Sequence, residues 1–164
     1  MKEDCTSAYC GLFCESCAVY IASKTSKNDL AVLAEKMNTT VEEMHCEGCK
    51  SDRLSPHCRS CFFKSCAREK GLEYCEDCSD FPCQKLMEFK EQFPHRNELL
   101  VSAKYRKENG IEKWVEKMKN DYSCPNCGTI NSPYYYKCKN CGSIPSSQYF
   151  IRNADSIKKH LKIE

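Results

Sequence analysis

Six cysteine pairs, each with two residues between its members, constrain this chain more than any other feature. This spacing lets two thiolates of one tight turn face the same metal ion. The pairs are Cys14/Cys17, Cys46/Cys49, Cys58/Cys61, Cys75/Cys78, Cys124/Cys127 and Cys138/Cys141. Because 16 of the 164 residues are cysteine, the pattern predicts a protein built around bound metal.

The compartment decides whether so many cysteines bind metal or form disulfides. Residues 1–5 show no apolar signal segment, and no stretch approaches the ~20 apolar residues of a membrane span. We therefore expect a cytoplasmic protein with no membrane association. Since thiols stay reduced there, the cysteines are interpreted as metal ligands. They also make up about a quarter of the hydrophobic residues, so bound metal is expected to replace part of an apolar core.

Cysteine density divides the chain into three parts. Residues 1–83 contain 12 cysteines, residues 84–121 contain none, and residues 122–164 contain four. This predicts a cysteine-rich metal-binding domain over residues 1–121, helical at about 80–120, followed by a zinc ribbon with a basic tail. The expected fold class is a small metal-stabilised α-rich (α+β) protein whose ribbon is built from β-hairpin knuckles.

Helical periodicity and capping signals predict several short helices. In the first part we expect a helix through Leu30 and Met37, begun by Asn28, a short helix at the capping box Thr40 to Glu43, and a helix at 62–70. In the middle part we expect helices at 82–92, stopped by Pro94, and at 97–108, ended by Asn109-Gly110. A further helix is expected through Ile111 and Met118. The rest of the first part is expected to be loops around metal.

A short internal repeat lies within the cysteine-rich part. The pattern Cys58-x2-Cys61-x4-Cys66 recurs 17 residues later as Cys75-x2-Cys78-x4-Cys83. Each copy supplies three ligands, whereas a closed structural site needs four. The copies must therefore share ligands or borrow them from Cys46, Cys49 or the group around Cys10, and the sequence leaves this open.

The C-terminal pairs form the most specific motif. Cys124-Pro-Asn-Cys127-Gly128 is followed by Cys138-Lys-Asn-Cys141-Gly142, with ten residues between Cys127 and Cys138, and this arrangement resembles a zinc ribbon. The glycines let backbone N–H groups turn toward the thiolates. Asn131 also stands where small bacterial zinc ribbons carry an asparagine. The resemblance implies one zinc ion bound by the four cysteines.

Three consecutive tyrosines, Tyr134, Tyr135 and Tyr136, lie inside this ribbon. Their rings could stack on the bases of a single-stranded nucleic acid, because aromatic faces accept any base. The alternative is that they cover the zinc ion in a segment too small for another core. Both interpretations stay open.

The N-terminal triple Cys10-x3-Cys14-x2-Cys17 has the spacing of radical S-adenosylmethionine enzymes. Those enzymes usually carry an aromatic residue where Ser16 stands, and they need a long barrel for which this chain lacks room. The triple is better explained by a fourth ligand that closes a zinc site or an ordinary cluster.

Many separated positions of the first part together resemble one family. They are Cys10-Gly-Leu-x-Cys14-x2-Cys17, Cys46-x-Gly48-Cys49, His57-Cys58-x2-Cys61, Cys66-Ala67-x-Glu69-Lys70-Gly71 and Cys75-x2-Cys78-x2-Phe81-Pro82-Cys83. Over roughly residues 8–120 the chain is similar to the bacterial and archaeal family of domains of unknown function 3795. The resemblance implies cysteine-bound metal, most simply zinc, and no established activity.

Eleven motif cysteines and one more ligand would complete three four-ligand sites. His57 lies within the motif and is favoured over Cys5 as the twelfth ligand. With the ribbon, this gives about four zinc ions. The metal ligands predicted by this count are Cys10, Cys14, Cys17, Cys46, Cys49, Cys58, Cys61, Cys66, Cys75, Cys78, Cys83, Cys124, Cys127, Cys138, Cys141 and His57, with Cys5 as the substitute.

No phosphate loop, nucleophile elbow or other catalytic motif is present, so we expect a zinc-binding interaction module and not an enzyme. Two alternatives use the same thiolates: an iron–sulfur electron carrier or redox sensor with its cluster in residues 1–83, and metal storage or sensing. Residues 122–164 carry a formal charge of +4. The expected partner is therefore a protein or a single-stranded nucleic acid on the ribbon, with no small-molecule substrate.

Overall fold

A computed structural model describes residues 5–163, and the chain is mostly helical. Isolated 3₁₀ turns precede three of the helices. Among the described residues, no helix combines the length and apolarity that a membrane crossing requires. The ten α-helices found there are α1 (Ala18–Thr25), α2 (Lys27–Lys36), α3 (Val41–Met44), α4 (Pro56–Arg59), α5 (Phe62–Glu69), α6 (Gln84–Glu91), α7 (Leu99–Asn109), α8 (Ile111–Tyr122), α9 (Gln148–Arg152) and α10 (Ala154–Leu161).

The helices predicted from periodicity are confirmed, with small shifts at their ends. The capping box at Thr40 is complete: the Glu43 N–H donates to the Thr40 hydroxyl, and the Glu43 carboxylate accepts from the Thr40 N–H. Gly110 ends α7 with φ of 83°. The predicted N-cap of α2 is wrong, because Ser26, and not Asn28, accepts the bond from Asp29 N–H.

Four helices, α1, α4, α9 and α10, arise where the sequence predicts loops or a tail. Helix α1 begins directly after Cys17, and its buried Ala22 packs with α2 and α3. Helices α9 and α10 are amphipathic: Tyr149 and Ile157 are fully buried while the basic side chains face outward. The basic residues dominate the composition of this segment, which is why it was interpreted as a tail.

The β-hairpin knuckles predicted for the ribbon are not found in the described structure, which contains isolated bridges and no extended strands. One bridge, between Ser123 and Ile130, marks the ribbon. The N–H of Cys124 donates to the carbonyl of Thr129, and that of Cys138 donates to the carbonyl of Ser143. Backbone donors are therefore used within each tight knuckle and do not build a ladder.

Three apolar clusters hold the helices together. One surrounds the N-terminal cysteines and contains Phe63, Leu86 and Leu99. A second packs α1, α2 and α3 around Leu30. The third contains the following residues from the beginning, middle and end of the chain: Phe13, Trp114, Met118, Tyr122, Tyr149, Phe150 and Ile157. The C-terminal segment thus shares a core with the helices before it.

Helix α7 connects the first and third clusters through one buried hydroxyl. Ser102 donates to the carbonyl of Gly11 at 3.0 Å and accepts a bond from the Trp114 indole N–H at 2.8 Å. Gly11 has φ of +102°, and a Cβ there would lie 3.0 Å from Ala103. Only glycine therefore fits this close approach between the first cysteine motif and α7.

Candidate metal centres

The four ribbon cysteines converge on one point. The sulfurs of Cys124 and Cys141 are 3.7 Å apart, and those of Cys127 and Cys138 are 3.6 Å apart. All four lie within 4.8 Å of one another. Four sulfurs bound tetrahedrally to zinc at about 2.3 Å would be about 3.8 Å apart. The ribbon therefore has the dimensions of a single-ion site.

Two matching turns position these sulfurs. Gly128 donates to the carbonyl of Cys124, and Gly142 donates to that of Cys138, both at 2.9 Å. The two glycines have φ of 75° and 73°, which an L side chain would strain. Each knuckle is thus closed by the glycine that follows its second cysteine.

Hydroxyl groups adjoin the outer sulfur of each knuckle. Thr129 Oγ1 lies 3.3 Å from Cys127 Sγ, and Ser143 Oγ lies 3.2 Å from Cys141 Sγ. Hydrogen bonds from Ser143 and the Asn126 amide lower the pKa of Cys141 to about 5, and the bond from Thr129 lowers the pKa of Cys127. These bonds favour the thiolate, the form that binds metal, at Cys127 and Cys141, whereas burial raises the pKa of Cys124 to about 11.

Asn131 joins the two knuckles from a fully buried position. Its amide nitrogen lies 3.4 Å from Cys138 Sγ and donates to the carbonyls of Thr129 and Ser146. Its side-chain oxygen accepts from the Lys139 N–H at 3.0 Å. One amide therefore fixes both knuckles and the chain that leads to α9.

The structure brings the N-terminal cysteines together in neighbouring sets. In the first set, a hydrogen bond from Cys58 lowers the pKa of Cys46 to about 6. The same bond raises the pKa of Cys58, and burial and the nearby Cys17 raise it further. Burial raises the pKa of Cys14, to which the neighbouring thiols of Cys49, Cys17 and Cys46 add. Cys14, Cys17, Cys46 and Cys58 therefore surround one region.

A second set is centred on the buried Cys10. Burial raises the pKa of this thiol to about 12, and the nearby thiols of Cys49 and Cys61 add to the effect. The two sets adjoin, because the N–H of Cys49 donates to Cys14 Sγ at 3.3 Å. Cys49 therefore lies between the two sets, near both Cys14 and Cys10.

The third set lines a small cavity of about 40 Å³. Its cysteines are Cys66, Cys75, Cys78 and Cys83. Cys66 belongs to the first copy of the internal repeat and the others to the second, so the copies share ligands in the structure. We call this cavity, with its four cysteines, the Cys66 pocket.

Spacing distinguishes these sets from the ribbon. Across residues 5–163, the ribbon is the one group of three or more potential ligands whose ligand atoms all lie within 4.8 Å of one another. Every trio of N-terminal cysteine sulfurs therefore includes a pair that is farther apart. None of the 16 cysteines, all of which lie in this range, forms a disulfide.

Neither candidate for a twelfth ligand joins such a group among the described residues. His57 is exposed on α4, and its pKa is lowered by partial burial and by Arg96. The carbonyl of Cys5 accepts from Lys50 N–H, and a Cβ at Gly48 would lie 2.2 Å from that oxygen. The choice between His57 and Cys5 stays a prediction.

The three ribbon tyrosines have different surroundings. The Tyr134 hydroxyl is hydrogen-bonded to His95 Nδ1 at 2.5 Å. Tyr136 packs edge-on against Phe150. The ring of Tyr135 lies 4.9 Å from Lys139 Nζ. Tyr134 also packs against His160 of α10, and Phe150 belongs to α9, so two of the rings contact the C-terminal helices that the sequence pattern does not predict.

Fold and sites together define a helical, cysteine-rich protein with a four-cysteine cluster that could hold a metal ion. Residues 6–88 match the family described as protein of unknown function (DUF3795), so the chain belongs to that family. The match ends at residue 88, within α6, so most of the helical part that the resemblance includes, and the ribbon, lie outside it. No curated protein and no solved structure matched the chain.

Proposed function

We propose that the protein binds a zinc ion through Cys124, Cys127, Cys138 and Cys141, and that this ion is structural. The observation that carries the proposal is the 3.6 and 3.7 Å spacing of the sulfurs, close to the edge of a zinc–thiolate tetrahedron. Four cysteines fill the four positions, which leaves none open for a substrate or a reactive water. The site favours a binding module over an enzyme.

In this proposal, the ion fixes the loop that carries the C-terminal helices. Asn131 lies 3.4 Å from Cys138 Sγ and holds the Ser146 carbonyl, two residues before α9 begins. Helices α9 and α10 then contribute Tyr149 and Ile157 to the core around Trp114. Metal binding is therefore coupled to the packing of the C-terminal segment, as in other small zinc domains.

The proposed partner surface is the outer face of the ribbon. Lys137 and Lys139 are exposed there, and Tyr135 lies beside Lys139. We propose a single-stranded nucleic acid as the first partner to test, because cationic side chains next to an aromatic ring suit its phosphates and bases. Replacing Tyr135 by Ala should weaken a band shift with a short single strand, whereas replacing the exposed Val32 of α2 by Ala should not. Absence of a shift with the unmodified protein would exclude this partner.

Metal analysis tests the zinc proposal directly. Cys138→Ala should remove one zinc ion per chain, and cobalt bound to the unmodified ribbon should show the visible absorption of a tetrahedral thiolate site. Val32→Ala, an exposed position on α2 that is not among the predicted ligands, is the control and should keep the zinc content of the unmodified protein. Equal zinc content in Cys138→Ala and the unmodified protein would contradict the proposal.

A further inference from the structure

The Cys66 pocket differs from the ribbon in shape, although both have four cysteines. The ribbon sulfurs approach to 3.6 and 3.7 Å, so one ion would contact all four. The sulfurs of the pocket surround a cavity of about 40 Å³ instead. A cavity of this volume offers more than one position to a water-sized body, so space remains between the cysteines and the side chains that line it with them.

The distances between sulfurs agree with the cavity. Any three of Cys66, Cys75, Cys78 and Cys83 include at least one pair of sulfurs more than 4.8 Å apart, since all four lie in the described range. In an iron–sulfur cluster the cysteine thiolates bind several irons, and sulfide ions bridge those irons. Such a body holds its cysteines farther apart than a single zinc ion does.

The walls of the pocket are apolar. Besides the cysteines, the cavity is lined by aromatic and aliphatic side chains, chiefly Phe63, Leu72, Phe81 and Leu86. Leu86 is fully buried, and Phe63 is 6% exposed. Few polar groups are available to solvate a small ion with open positions. Apart from Lys70, the cavity offers only cysteines and apolar side chains, and an iron–sulfur cluster fits this lining.

One cation faces the cysteines. Lys70 Nζ donates to Cys78 Sγ at 3.3 Å and to the Asp80 carboxylate at 3.2 Å. A cluster bound by four thiolates carries negative charge, and hydrogen bonds to its sulfurs raise its reduction potential. Lys70 is therefore placed to stabilise the bound cluster and to adjust its potential.

From the spacing, the cavity, the lining and Lys70 together, we infer that Cys66, Cys75, Cys78 and Cys83 bind an iron–sulfur cluster. The inference is independent of the zinc proposed for the ribbon, which uses other cysteines. It assigns different metals to the two ends of one chain, because the sulfurs of the ribbon all lie within 4.8 Å of one another and those of the pocket do not.

The first test is the metal content of protein purified without air. The unmodified chain should contain iron, acid-labile sulfide and zinc. Cys78→Ala should lose the iron and sulfide of one cluster while its zinc is unchanged, and Cys138→Ala should lose zinc while its iron is unchanged. A loss of zinc from Cys78→Ala, unchanged metal in that variant, or an unmodified chain that binds no iron after reconstitution with iron and sulfide would each overturn the inference.

A second variant avoids any change of ligand. Lys70→Met keeps all four sulfurs, so the cluster should remain, with a reduction potential shifted to more negative values. Lys113→Met on the exposed face of α8 is the matched control and should show the potential of the unmodified protein. Equal potentials in Lys70→Met and the unmodified protein would place the cluster elsewhere and overturn the assignment to this pocket.

Discussion

Arg106 and Glu76 form a two-bonded ion pair that joins α7 to the cysteine-rich part. The Nε–Oε1 distance is 2.5 Å and the Nη2–Oε2 distance is 3.0 Å, and both side chains are almost completely buried. Arg106 also donates to the Ala8 carbonyl and lies over the Tyr74 ring. Glu76 follows Cys75, so the pair fixes the turn that leads into the Cys66 pocket.

Replacing one member of this pair should be costly. In Glu76→Gln, the buried guanidinium loses its counter-charge, and we expect the free energy of unfolding to fall by about 3–5 kcal/mol. Urea unfolding followed by circular dichroism measures the change. Glu91→Gln, in an exposed pair with Lys90, should cost about 1 kcal/mol or less. Equal losses in the two variants would contradict a structural role for the buried pair.

Asn131 should control the metal affinity of the ribbon. Asn131→Ala removes the bond to Cys138 Sγ and those to two carbonyls, and loss of such an outer contact typically lowers metal affinity by about 10–100-fold. Competition with a colorimetric chelator measures the affinity. Asn126→Ala, which removes an exposed contact 3.5 Å from Cys141 Sγ, should have the smaller effect. The reverse order would show that burial of Asn131 does not matter.

His95 should make stability depend on pH. Burial, and then the charge of Arg96, lower its pKa from 6.5 to about 3. Arg96 Nε donates to His95 Nε2, so the neutral ring carries its proton on Nδ1 and donates it to Tyr134. Protonation of His95 Nε2 would place its N–H against the guanidinium of Arg96.

The lowered pKa of His95 determines the direction in which stability changes with pH. Between pH 6.5 and 3, His95 binds a proton in the unfolded chain but not in the folded chain, so the free energy of unfolding falls as pH falls through that window. From pH 7.5 to pH 5 the loss attributable to His95 is about 2 kcal/mol. Comparing His95→Gln with the unmodified protein at each pH isolates this contribution, because acid release of metal affects both. Parallel pH profiles would contradict it.

The C-terminal helices should contribute strongly to the core. Ile157 is fully buried, and Ile157→Ala should cost about 2–5 kcal/mol through lost burial and the cavity it leaves. Trp114, the chain's single tryptophan, belongs to the same cluster, so its fluorescence should report the unfolding. Ile151→Ala is the control: that side chain is 49% exposed and its loss should change stability little. Similar effects would mean that α10 is not firmly packed.

Local sequence signals predicted much of the helical structure. The capping box at Thr40, the stop at Pro94 and the glycine after α7 act within one turn of the chain, and each is found where predicted. Local patterns failed at α1 and α10, which begin without a side-chain cap and are stabilised by packing Ala22 and Ile157 into cores formed by distant parts of the chain. They also failed at the knuckles, whose donors stay within the turns.

By itself, the sequence determined that this is a cysteine-rich chain with a ribbon-spaced set of four cysteines and short helices around a second set. These features depend on residues close together along the chain. The tertiary structure alone decided which distant thiols meet, as when Cys66 joins Cys75, Cys78 and Cys83. It also decided that Tyr134 and Tyr136 are partly buried against the core around Trp114. Cysteine pairs with the same spacing cannot be told apart in the sequence, so only the packing of the helices could determine which cysteines share a site.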